Sequence, residues 1–397
     1  MATNTTVKAH GMDGTLMEPD WPPLNLAEVR ALLSQFPAPG APIQIGSFSP
    51  RPFSAGSVVL TGNGRVFVKR HHRSVRDAEG LLEEHRFLQH LYSAGAPVPR
   101  VFASASGETA IEKGEWTYEV HEAPEGVDLY EDALSWTPFQ SVAHAFSAGQ
   151  ALARLHCASK GFEAPRRKPR PLVAGFTIFA AQDPRAEMDC YLAARPALVE
   201  NPAVRPDCNE ALEVLAPFHA ELLPLLPALS PLWTHNDLHA SNLLWSDDGP
   251  EARATAIIDF GLADRTNAVH DIAQAIERNI VEWLALIEAP AHPEGVPVHI
   301  DHLHALLDGY ELVRPLSDEE AAALIPMTAL CHAEFALSEA DYYLDVLRSQ
   351  ANARLCTEGY LVGHARWFRG AGGDRLLNAL RRWAEARHRK SERIEPR

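Results

Sequence analysis

Cysteine is scarce in this 397-residue chain: Cys157, Cys190, Cys208, Cys331 and Cys356 are odd in number, widely scattered and never spaced as Cys-x-x-Cys. That usage speaks against a disulfide framework and fits a reducing cytoplasm. A basic surplus is missing too. Lys and Arg number 36 against 52 Asp and Glu, a net charge of -16, so no positive field stands ready to neutralise nucleic-acid phosphates, while a cationic ligand is tolerated. No uninterrupted apolar stretch approaches the ~20 residues of a membrane span, and Met1 to Asp20 lacks a basic segment followed by an apolar run. The expectation is a soluble cytoplasmic protein, monomer or homodimer, with neither nucleic acid nor membrane as partner. With 46% hydrophobic and 22% charged residues, the chain has ample core for two or three domains.

What is present is a dense polar cluster in an apolar frame. Trp233-Thr-His-Asn-Asp-Leu-His-Ala-Ser-Asn-Leu-Leu-Trp245 holds His235, Asp237 and Asn242, and a short apolar strand, Ala256 to Ile258, delivers Asp259 ahead of Phe260-Gly261. Two carboxylates and an amide then converge. Moving a phosphoryl group from a nucleotide needs a carboxylate to orient the attacking hydroxyl and oxygen ligands for magnesium. Asp237 fits the first role, and Asn242 with Asp259 fits the second. The rival reading is zinc held by His235 and His239 at i, i+4, against which no Glu sits between them and no cysteine lies nearby.

His-x-Asp-x-x-x-x-Asn followed by Ile-Asp-Phe-Gly resembles the catalytic and metal loops of the kinase-like fold. More narrowly, His235-Asn-Asp-Leu-His-Ala-Ser-Asn242 resembles the aminoglycoside phosphotransferase and choline kinase superfamily. Asn236 and His239 stand where protein kinases carry Arg and Lys, and no Ala-Pro-Glu segment follows Gly261, which disfavours a protein kinase. The resemblance implies a bilobal α+β fold. Residues 1–122 would form a leader helix and a small antiparallel-sheet lobe that binds nucleotide, and residues 123–397 a larger, mostly helical lobe with the acceptor pocket. It implies ATP or GTP and Mg2+ as cofactors and a hydroxyl of a small molecule as acceptor. From a different class, a nucleotide-binding pseudokinase or regulatory module is the alternative; intact Lys69, Asp237, Asn242 and Asp259 weigh against it.

Along the chain, Leu26, Val29, Leu32, Leu33 and Phe36 recur at helical spacing after a polar leader, and Asn63-Gly64 marks a hairpin between strands over 43–70. By the resemblance, Lys69 contacts the nucleotide phosphates and Glu84, on the helix after it, is its partner, with Glu79 and Glu83 as rivals. Gly-x-Gly-x-x-Gly is absent; Phe53-Ser-Ala-Gly-Ser57 stands in its place, where Gly56 and Ser57 would offer backbone N–H groups to phosphate. Trp116 to Gly126 resembles the inter-lobe hinge, with adenine on His121 C=O and Ala123 N–H, because Pro124 has no N–H, and with Val120 at the back of the pocket. Asp271 resembles the aspartate that braces the catalytic loop. His239, Glu277, Glu282 and Glu334 are the acceptor candidates, with Glu339 and Asp341 as further acidic ones, and their charge favours an acceptor bearing an amine. Residues 159–232 read as a helical insertion, and Arg387 to Arg397 as a frayed charged tail.

Overall fold

The computed structural model describes residues 9–10, 16–288 and 292–394. Most of the polar leader therefore lies outside the described residues. Its helix, α1 (Leu26–Leu33), starts at a capping box of Asn25 and Glu28. Glu28 then takes Arg70 at 2.7 Å and the Tyr118 hydroxyl at 2.7 Å, which fixes α1 across the small-lobe sheet.

That sheet has five strands, β1 (Pro42–Phe48), β2 (Ala55–Thr61), β3 (Gly64–His72), β4 (Ala110–Lys113) and β5 (Trp116–Glu122), in the antiparallel order β1-β2-β3-β5-β4. The hairpin falls where Asn63-Gly64 predicts it, with Gly64 at φ +126. Because side chains alternate, register decides which face each residue serves. Val66, Val68 and Val120 face α1 and join its apolar cluster with Val29, Leu32 and Leu33. Lys69 stands opposite Glu119, and Phe67 opposite His121, on the other face. α2 (Ala78–Ser93), capped by Asp77, meets that face through His85 on Glu119 and leaves the rest of it to the cleft.

In the large lobe two short ribbons frame the loops. β6 (Pro231–Thr234) pairs antiparallel with β9 (Asp264–Asn267), and β7 (Leu243–Trp245) with β8 (Ala254–Ile257). Behind them runs α5 (Ala268–Ile280), every residue of which is buried, although it carries His270, Asp271, Gln274, Glu277, Arg278 and Asn279. A buried polar group needs a partner, and Asp271 and Asn279 find theirs in the catalytic loop, while Gln274 bonds the Cys331 carbonyl and Glu277 bonds His364. Against α5 pack α6 (Ile300–Val313) and α7 (Asp318–Leu330), while α3 (Val142–Ser159) reaches it through His156 on Asp271 and α8 (His332–Asp341) through Phe335 under Arg278. The insertion is helical as expected, with α4 (Val204–Leu222) its longest piece. α3 and α6 touch at Gly149 and Gly309, where an added Cβ would lie 2.0 Å from a carbonyl oxygen of the other helix. The last helix, α9 (Ala371–Ile394), runs to Ile394, so residues 387–394 are helix, not frayed tail. By length and composition alone, Val204–Ala228 and Asp318–Val346 match a membrane span; the second is 89% buried among the other helices.

Candidate active site

The catalytic loop is held by backbone bonds to side chains. Asp271 on α5 accepts from the N–H of His235 at 2.9 Å and of Asn236 at 2.8 Å, and His156 on α3 bonds the same carboxylate at 2.9 Å. Asn279 brackets the far side of the loop, donating to the Leu238 carbonyl and accepting from the Ala240 N–H, both at 2.9 Å. Asn236, in the left-handed region at φ +62, accepts from Thr234 and Thr266 and donates to the Leu262 carbonyl, which staples the two loops together. His235 is committed to backbone, through the Ile258 carbonyl at 3.0 Å and the Asp237 N–H at 3.2 Å. His239 bonds the Ser241 hydroxyl at 2.7 Å. The stretch is loop and one turn of 3-10 helix, so the two histidines share no helical face and form no zinc pair.

Asp237, Asn242 and Asp259 come together. Asn242 donates through Nδ2 to the Asp237 carbonyl at 2.9 Å and to its carboxylate at 3.3 Å, which leaves its Oδ1 as the ligand atom. Burial pushes the Asp237 carboxyl up, but His239 and Arg278 outweigh it and hold the group below the ordinary carboxylate range. Asp259, at φ +59, turns its carboxylate onto the Lys69 ammonium at 2.9 Å. Burial opposes both charges of this pair; attraction wins, raising the lysine and lowering the aspartate. Asn242 and Asp259, with Asp237 beside them, are oxygen donors only, the chemistry that suits a hard divalent cation.

Two cavities meet at this point. One, about 340 Å³, lies between the lobes against Lys69, Glu84, Glu119, His121 and Ala123; the other, about 100 Å³, is walled by Trp136, Asp237, His239, Arg278, Phe335 and Glu339. Arg51, Asn242 and Asp259 border both. Several expectations need correction. Lys69 pairs with Asp259, not Glu84, which is buried in the same cavity wall. The rivals are engaged elsewhere, Glu79 with Lys168 and Glu83 with Arg167. Gly56 and Ser57 lie inside β2, opposite Lys69 and Val68, so the cleft is roofed by residues 47–51 and Ser54 instead. Val120 faces α1, because strand parity gives the cleft Glu119 and His121. Ala123 N–H reaches the Arg65 carbonyl at 3.5 Å, and in an antiparallel ladder His121, two residues earlier, faces Phe67 in the same way, so its C=O points into the sheet.

On the acceptor side His239 and Glu339 are the named candidates that line the smaller cavity. Glu277 is fully buried behind Arg278 and bonds His364 at 2.8 Å; burial lifts its carboxyl to about 7 despite Arg278 and His332. Glu282 pairs with His299 on the surface at 2.7 Å and lines neither of these two cavities. Glu334 accepts the N–H groups of Gly175, Thr177 and Ile178, a clamp on the insertion. Asp341 meets Arg195 at 3.7 Å. Glu339 does line the cavity, and burial lifts it to about 8 against the pull of Arg278. The residue that sequence reasoning missed is Arg278. Its guanidinium lies 4.2 Å over Trp136 and 3.9 Å over Phe335, with Nη2 3.3 Å from Asp237 Oδ1. Its Nε and Nη2, and that Asp237 oxygen, are buried without a hydrogen-bond partner. Its neighbour Glu277 was noticed as a charge on a helix, and nothing in the spacing set Arg278 apart.

Comparison with known proteins shows the family and the fold. Residues 54–316 match the family model described as the phosphotransferase enzyme family. A homoserine kinase of Rhodospirillum rubrum is 26% identical over 245 residues, 60% of this chain and 61% of that protein, so the chain spans about three fifths of the length of that curated relative. Among solved structures, a microcompartment-associated aminopropanol kinase superposes with a TM-score of 0.58 at 16% identity, covering 88% of this chain and 99% of that one. An amicoumacin kinase solved with AMP-PNP and Ca2+ does so with 0.55 at 15% identity, covering 86% and 94%. At those identities the structural likeness is one of fold.

Proposed function

The chain belongs to the phosphotransferase enzyme family, and we propose on that premise that it transfers the γ-phosphoryl group of ATP or GTP to a hydroxyl of a small molecule. The observation that carries the reading is the meeting of Asp237, Asn242 and Asp259 at the border of the two cavities. The inter-lobe cavity takes the nucleotide, with Lys69 leaving Asp259 for the phosphates. Asp237, ionised and fixed by Asn242, accepts a hydrogen bond from the acceptor hydroxyl and orients it for in-line attack. Asn242 and Asp259 would hold Mg2+, which supplies charge neutralisation between the phosphates when bound. A pseudokinase reading has no comparable support, since none of these groups is missing. The same proposal places the enzyme in a cytoplasm that supplies nucleotide, as monomer or homodimer, without nucleic acid or membrane.

For the acceptor we propose an amine-bearing molecule whose ammonium meets Glu339, which lines the small cavity with Asp237 and Asp259 and gives up its proton to solvent when the ammonium binds, in place of Glu277, Glu282 and Glu334. Arg278 adds a site for an anionic group beside it. A hydroxy amino acid satisfies both, in keeping with the homoserine kinases among the relatives. A second reading rests on a third cavity, about 640 Å³, that shares Trp136 and Leu284 with the small one and has Trp283, Tyr360 and Trp367 in its wall. It gives room for a larger aminated ring compound. A coupled ADP-release screen over hydroxy amino acids, amino alcohols, aminoglycosides and neutral sugars separates these. Turnover of neutral acceptors alone removes the amine proposal and leaves phosphoryl transfer standing.

A further inference from the structure

The inner wall of the nucleotide cleft carries a cluster that phosphoryl transfer does not use. Glu119 on β5 is 1% exposed, and three histidines surround it. His71 on β3 bonds its Oε1 at 2.8 Å; His85 on α2 and His121 on β5 bond its Oε2 at 2.8 Å and 2.7 Å, all through Nε2. None of the three is more than 7% exposed. A buried carboxylate needs donors, but one or two suffice, and three imidazoles from three separate elements exceed what desolvation asks. We propose that His85, Glu119 and His121 form a second divalent-cation site, distinct from Asn242 and Asp259, whose ion is Zn2+.

One atom from each of the three residues lies within 4.8 Å of the others. A set of two imidazole nitrogens and one carboxylate oxygen selects zinc over magnesium, which demands oxygen. The tautomers allow it. His85 Nδ1 lies 2.8 Å from the Thr109 hydroxyl, which accepts as readily as it donates, so the ring can carry its proton on Nδ1 and free Nε2 for metal without losing a bond. His71 keeps the other carboxylate oxygen and orients it from outside the ion's shell. Glu119 and His121 border the cleft, which leaves a route of entry and a fourth position open to it. Lys69, opposite Glu119 in the ladder, is drawn away by Asp259 at 2.9 Å. The ion would tie α2, the helix of Glu84, to the hinge strand.

The test is equilibrium dialysis of the full-length protein against ZnCl2 with Mg2+ in large excess, paired with thermal unfolding. Wild type is expected to retain one Zn2+ per chain and to melt at higher temperature with it, because an ion bound only by the folded state stabilises that state. His85→Ala and His121→Ala should lose the ion and the shift. Thr109→Val, which touches no ion, should weaken binding about 10–100-fold, as loss of a supporting hydrogen bond does. His299→Ala, removing the surface histidine that pairs with Glu282, should change nothing. Should His85→Ala fail to fold, Thr109→Val and His85→Gln decide. Absence of stoichiometric zinc in wild type, or retention of wild-type affinity in the His85 and Thr109 variants, overturns the site.

Discussion

The two cavities that meet at Asp259 are walled in different ways. On the larger side the inner wall is sheet: Lys69 and Glu119 face each other across a ladder, with Glu84 of α2 in the same wall, and Asp259 follows β8. On the smaller side the groups facing the catalytic loop come from separate parts of the helical lobe: Trp136 from the stretch before α3, Arg278 from α5, Glu339 from α8. The sheet side is fixed by backbone hydrogen bonds and can change little without losing the lobe. The helical side is set by side-chain stacking on a buried guanidinium, so its chemistry can be altered residue by residue while the loop between stays put. A common phosphate donor with variable acceptors is what such a division permits.

Breaking the shared border should cost most. Asp237→Ala is expected to lower kcat by about 10³-fold or more while nucleotide affinity, read by calorimetry, stays within about twofold. A comparable loss of nucleotide binding would mean that Asp237 is structural. Next, Arg278→Met, which spares much of the volume, should raise the acceptor KM by roughly 10–100-fold with a smaller effect on kcat, the cost of losing a buried charged contact. A fall in kcat at unchanged KM would instead make Arg278 a positioning residue for Asp237. Then comes Glu334→Ala: it removes the acceptor for three buried or half-buried N–H groups and should destabilise by about 3 kcal/mol, seen in denaturant unfolding, with KM for both substrates unchanged.

A pH experiment sharpens the helical side further. Burial lifts Glu277 to about 7 and Glu339 to about 8, so the folded protein keeps protons that unfolded glutamates release near 4.3. Their contribution to stability is fully present below the unfolded value and is lost as pH rises through the folded ones. Relative to wild type, Glu339→Gln should therefore flatten the decline in unfolding free energy between about pH 5 and 8, by an amount of order 1 kcal/mol per pH unit. Identical slopes would place an ionised Glu339 in the folded protein. The smallest effect belongs to Glu282→Gln, expected to shift the acceptor KM by less than about twofold, because the residue pairs with His299 outside the cavities.

The sheet, its hairpin and the catalytic loop were legible because their signals are local. Asn63-Gly64 marks a turn, and Asp237, Asn242 and Asp259 sit within a single short stretch of chain. Parity misled at Val120 because the strand's register, not its sequence, decides which face meets the cleft. Gly56 looked like a phosphate loop but packs in β2, where a Cβ would lie 2.6 Å from the Phe67 ring. On the acceptor side, Glu277 and Glu334 look like solvated helix charges until α5 and α8 are seen to be buried all round. Nothing in the chain next to Arg278 announces Trp136 or Phe335 as its stacking partners, since those contacts are set by packing of distant segments.

The most direct test of phosphoryl transfer at the Asp237 border is acceptor-dependent ADP release, measured for wild type and Asp237→Asn with and without Mg2+ on whichever acceptor the screen yields. Expected is release that requires both acceptor and metal in wild type and falls by about 10³-fold in the variant, with nucleotide still bound. Acceptor-dependent release at the wild-type rate from Asp237→Asn would contradict it.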